Sequence, residues 1–141
     1  MQYVCDGTGT KTWFRLETQA EASAESRDLG HAVEKYFTEQ HAAAVQSFVP
    51  PASARVFEQN IGLKAHVQKS MPLFVTLRNN EGKGLATAML PPNGREDKGF
   101  RTIIVGPKNS DPYVAHADDI KKLGAHYKLT LDPARCFPYR R

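Results

Sequence analysis

The chain reads as an α+β protein: an antiparallel sheet of about five or six strands, with one long and one shorter helix packed on one face. Three observations predict this. Helix-period apolar repeats run from about Thr18 to Phe48 and again after Asp111. β-type runs punctuated by Asn, Gly and Pro fill most of the interval from Asn60 to Val105. A short pair of β-type runs precedes the first helix. In this class the helices gather on one side of the sheet. The other side is then expected to be open to solvent or to a partner. At 141 residues a single domain, 1–141, is expected. Such a chain buries about two thirds of the surface its unfolded form exposes.

The elements follow in order. Gln2–Cys5 and Lys11–Glu17 read as strands, separated by Asp6-Gly7-Thr8-Gly9-Thr10. Glycine tolerates the positive φ of a tight hairpin. Thr18-Gln19-Ala20-Glu21 is a capping box, in which Thr18 accepts from the Glu21 amide and Glu21 reaches back. Leu29, Val33, Tyr36 and Phe37 then recur at spacings of three and four, the buried stripe of an amphipathic helix. Gly30 interrupts it, at a cost of about 1 kcal/mol against Ala, and predicts a bend or pause. Pro50-Pro51 ends it, since proline cannot donate to the helical ladder.

Ile61, Leu63, Ala65 and Val67 alternate with Gly62, Lys64, His66 and Gln68. The period of two predicts a strand from about Asn60 to Lys69, with Lys64, His66 and Gln68 on its polar face. Leu73–Arg78 and Gly84–Leu90 are further strands, joined through Asn79-Asn80-Glu81-Gly82, whose residues suit a turn. Phe100–Val105 follows a long polar loop. Asp111-Pro112 opens the last helix, with Asp as N-cap and Pro at the first turn. Gly124 is expected just past its end, and Tyr127, Leu129 and Leu131 predict a final short strand.

Charge is divided along the chain. The first fifty residues hold four Lys and Arg against seven Asp and Glu, and the rest fifteen against eight, giving the net +4. The longest apolar runs are far too short to span a bilayer, and the N-terminus has no secretory pattern. Cys5 and Cys136, at opposite ends, form no disulfide framework. A reducing cytoplasm is the expected location. No cysteine metal motif, nucleophile elbow or phosphate-loop pattern is present, and no cofactor is expected.

Two groups of residues could carry function. His116, Asp118 and Asp119 are the clustered titratable set. His116 and Asp119, three apart at the start of the last helix, could coordinate a divalent metal or form a base and its orienting acid. The basic residues Lys64, His66, Arg95, Lys98, Arg101, Lys108, Arg140 and Arg141, with Phe100, Phe137 and Tyr139 among them, could bind an anionic ligand or single-stranded nucleic acid. No RNA-binding signature accompanies them. A non-catalytic binding or accessory module, using the open sheet face and basic C-terminal region, is therefore the leading expectation. Its partner would be a protein or an anionic ligand, with nucleic acid only weakly suggested. A small enzyme built on His116 is the alternative.

Overall fold

The computed structural model describes residues 1–52 and 55–138. The fold is α+β, with a five-stranded antiparallel sheet in the order β1-β2-β3-β4-β5. β1 (Gln2–Asp6) and β2 (Thr12–Arg15) form the expected hairpin. Its turn closes through the Gly7 amide on the Lys11 carbonyl at 2.9 Å. α1 (Gln19–Leu29), α2 (Val33–Gln46) and α3 (Val56–Ser70) intervene before β3 (Leu73–Arg78) pairs with β2. β4 (Gly84–Leu90) and β5 (Ile103–Val105) complete the meander, and α4 (Tyr113–Tyr127) follows.

The capping box forms as the sequence predicts. The Glu21 amide donates to Thr18 Oγ1 at 3.2 Å, and Glu21 Oε1 accepts from the Thr18 amide. The expected long helix is two helices. Gly30 adopts φ 66° and ends α1, its amide donating to the Ser26 carbonyl. A left-handed residue at this point is costless for Gly and costs other L-residues about 1–2 kcal/mol.

The expected strand at 60–69 is instead part of helix α3. The alternation arises from two helical stripes offset by two residues. Ile61 and Ala65 lie one turn apart on the exposed side, while Leu63 and Val67 lie one turn apart on the half-buried side. An apolar residue every second position is thus a helix with two apolar sides. The Arg55 amide donates to Glu58 Oε2 at 3.3 Å at its start, and Pro72 follows its end. Lys64, His66 and Gln68 consequently share no sheet face.

The expected strand at 127–131 is also absent. Gly124 lies inside α4, which runs on to Tyr127 and ends at Lys128 in the left-handed region. The chain then doubles back, and the Leu129 amide donates to the Gly124 carbonyl at 2.8 Å. A side chain at 124 would collide with the Leu129 carbonyl, which explains the glycine. The sheet is extended at its β5 edge by Phe137, which makes a single parallel bridge with Ile103.

Both faces of the sheet are covered. Trp13, Val75, Leu77, Ala86, Ala88 and Ile104 pack with Ile120 and Leu123 of α4. Leu16, Phe74 and Met89, on the opposite face, pack with Ala22, Val33, Phe37 and Ala44 of α1 and α2. The open sheet face is therefore corrected: helices lie on both sides. β3 and β4 read as near-continuous apolar runs because neither side meets water. Phe37 and Phe74 form an aromatic pair with centroids 5.1 Å apart.

Phe74→Ala should cost about 3–5 kcal/mol in urea unfolding. Ile61→Ala, on the outer side of α3, should change stability by less than about 0.5 kcal/mol. Comparable losses in the two variants would return residues 60–69 to the core.

Candidate functional site

The first site grows from a carboxylate placed where an apolar residue is expected. Ala22, Glu25 and Leu29 share the inner stripe of α1, and Glu25 is 0 % exposed. A buried carboxylate must be paired and hydrogen-bonded. Arg78, at the end of β3, donates from Nη2 to Glu25 Oε1. Arg78 spends its other donors on Thr76 Oγ1 at 3.2 Å and the Gly82 carbonyl at 3.0 Å. Thr87 of β4 donates its hydroxyl to Glu25 Oε2 at 2.5 Å.

His31 extends this chain from the α1–α2 corner. Its Nε2 lies 2.8 Å from Thr87 Oγ1, and the Val33 amide donates to its Nδ1 at 3.4 Å. Nδ1 therefore accepts, and Nε2 carries the proton given to Thr87. The donors run in one direction, from imidazole to hydroxyl to carboxylate. Burial pushes the His31 pKa below its ordinary 6.5, against the opposing pull of Glu25. The neutral ring is the form this network holds.

Beside His31 lies a cavity of about 250 Å³. Ala32, Val33 and Tyr36 form one wall, and Phe74, Thr87 and Met89 the floor. Ile103 and Val105 of β5, Asn109, Phe137 and Pro138 close the remainder. Its lining is mostly apolar and includes the rings of His31, Tyr36, Phe74 and Phe137. Its inner polar groups are already satisfied by one another. None of these roles was read from the sequence, although one signal was present: Glu25 sits on the apolar stripe between Ala22 and Leu29.

The residues expected to carry catalysis are placed differently. Asp119 is 1 % exposed and locks the β1–β2 turn to α4. Its Oδ1 accepts from the Thr8 amide at 2.6 Å and the Thr8 hydroxyl at 2.9 Å, and Oδ2 from Lys11 Nζ at 2.7 Å. Burial alone would raise its pKa, but these donors prevail and hold it below the ordinary carboxylate value. Its backbone carbonyl also accepts from Trp13 Nε1 at 2.9 Å. His116 Nδ1 is 3.4 Å from Asp119 Oδ2, without a hydrogen-bond partner among the described residues. Asp118 is exposed. None of the three lines a concavity described here, and Asp119 is committed to the fold.

The basic candidates disperse. Lys64 lines a groove between α2 and α3. His66 faces elsewhere, its Nε2 2.7 Å from Ser47 Oγ and 3.3 Å from Ser70 Oγ. Because Ser47 donates its hydroxyl to the Ala44 carbonyl, this pair ties α3 to α2 rather than activating a nucleophile. Lys98 lies beside Glu96 and Asp97, Arg95 is exposed, and Arg101 stacks over the Phe137 ring at 4.8 Å. Lys108 is exposed and packs against Gly30. Arg140 and Arg141 lie outside the described residues. No group of metal-ligating side chains is present among the described residues, and none of their helices is long and apolar enough to cross a membrane.

No protein-family model, curated protein or solved structure matches the chain.

The depressed His31 pKa has a definite sign in stability. The unfolded chain takes up a proton more readily than the folded one. Stability should thus be complete above about pH 6.5 and decline as pH falls toward the folded pKa. Urea unfolding between pH 7.5 and 5 should show this decline in the parent protein and a flatter profile in His31→Gln. An unchanged slope in the variant would assign the decline to other groups.

Proposed function

We propose that the protein is a non-catalytic binding module that holds a small, uncharged, ring-bearing molecule in the cavity beside His31. One observation carries this reading: a mostly apolar cavity abuts a polar network with no charge left unpaired. A charged ligand would lose hydration there and meet no counterion, a loss of several kcal/mol. A neutral ring would meet four ring-bearing side chains and Met89, contacts that favour aromatic ligands. An apolar cavity of 150 Å³ accommodates benzene, so about 250 Å³ has room for a substituted ring. Concave, mostly apolar sites with a few fixed polar groups are the usual form of small-molecule sites.

The platform for stacked nucleic acid is not supported, because helices cover both sheet faces. The enzyme alternative rests on the approach of His116 to Asp119, an acid already saturated with donors.

The test is a titration of the full chain with neutral aromatic probes such as indole and benzyl alcohol, followed by methyl NMR. The Met89 and Ile103 methyl resonances should shift saturably. Ile103→Trp, which fills the cavity from a half-buried position, should remove the response and leave the unfolding midpoint nearly unchanged. Benzoate should bind at least about tenfold more weakly than benzyl alcohol. Equal binding of benzoate, or no methyl response at millimolar probe, would contradict the reading.

A further inference from the structure

A second concavity, of about 370 Å³, lies between α2, α3 and the end of β2. Its floor is built from the buried side chains of Leu16, Phe37 and Met71. Leu63 and Val67, one turn apart on α3, form a half-buried wall. Along α3 the lining runs from Asn60 to Gln68, which at 1.5 Å per residue is about 12 Å. The groove is therefore long and suits an extended chain better than a compact ring.

Its rim is polar. Lys64 of α3 and His41 of α2 are exposed, and neither has an ion-pair or hydrogen-bond partner among the described residues. Glu17 also lines the rim, with its Oε1 3.9 Å from the Met1 ammonium. Arg15 lines the same concavity and also acts electrostatically on the Tyr127 hydroxyl. The charges of Arg15 and Glu17 on the rim are opposite and offset one another, so the Lys64 ammonium, with the His41 imidazole on the same rim, leaves a net charge that matches a monoanion. The nearby Glu17 carboxylate disfavours a dianion such as a phosphate monoester. α3 itself has no fully buried residue, so its packing on α2 leaves the apolar wall unfilled.

We propose that this groove binds a free medium-chain monocarboxylate, its hydrocarbon chain along Leu63 and Val67 and its carboxylate at Lys64 and His41. The site is independent of the cavity beside His31. The apolar chain removes the half-buried Leu63 and Val67 from water, and the carboxylate supplies the counterion that Lys64 lacks. The occupied groove should also hold α3 more firmly against α2.

Calorimetry on the full chain would compare decanoate with decanol and decylamine. Decanoate should bind most tightly. Lys64→Gln should weaken decanoate about three- to tenfold, the range for a partly exposed ion pair, and leave decanol unchanged. Leu63→Trp, which fills the groove, should abolish binding of both. Hydrogen exchange should slow along α3 when decanoate is present. Decylamine binding as tightly as decanoate, or Lys64→Gln leaving decanoate affinity intact, would overturn the proposal. So would methyl shifts at Met89 rather than at Leu63 and Val67, which would place the chain in the other cavity.

Discussion

A buried ion pair between Glu25 and Arg78 organises the face of the sheet on which the cavity sits. Enclosing two charges costs several kcal/mol per ion before they attract one another. The cost is offset here because every oxygen of Glu25 is occupied, one by Arg78 and the other by Thr87. The pair fixes the inner stripe of α1 over the ends of β3 and β4. Through Thr87 it also fixes His31, and with it the α1–α2 corner that walls the cavity. Gly30 makes that corner possible, since the chain must turn at a left-handed residue one position before His31. Removing Arg78 would leave the Glu25 carboxylate buried without a counterion, and removing Glu25 would leave the partly buried guanidinium unpaired.

A second lock works on the opposite face. Asp119 gathers the β1–β2 turn onto α4 through Thr8 and Lys11, and Trp13 adds a bond to its carbonyl. Gly7 lies so close that a side chain there would collide with the carboxylate. The two acids have parallel roles. Each is buried, each is saturated with donors, and each joins a helix to the sheet across a face of the central strands. Glu25 reaches the cavity beside His31 through the lining residue Thr87, whereas Thr8 and Lys11, which bond Asp119, line neither concavity.

Much of the local structure was legible in the residues. β3, β4, the Thr18 capping box and the pause at Gly30 follow from apolar runs, turn chemistry and backbone freedom. The layer arrangement was less legible, although Leu73-Phe74-Val75 carried it: a strand without alternation is buried on both sides. Residues 60–69 misled because two helical stripes, 61 with 65 and 63 with 67, superpose to a period of two. The cavity was not legible at all. It is assembled from six separated stretches, and only the fold brings His31, Thr87, Ile103 and Phe137 together. Glu25 could have been found as a carboxylate on an apolar stripe, but its partner Arg78 lies fifty-three residues away.

The central claim is that Glu25 and Arg78 act as one unit. A double-mutant cycle in urea unfolding, with Glu25→Gln, Arg78→Gln and both together, measures that directly. Arg78→Gln should cost about 3–5 kcal/mol, because it leaves the buried Glu25 charge alone, and Glu25→Gln less, because Arg78 is partly exposed and keeps its bonds to Thr76 and Gly82. The double variant should cost less than the sum by about 2–3 kcal/mol, the scale of coupling between residues in one buried network. Additive losses would mean that the two side chains are stabilised independently, and the account of the His31 wall would then fail.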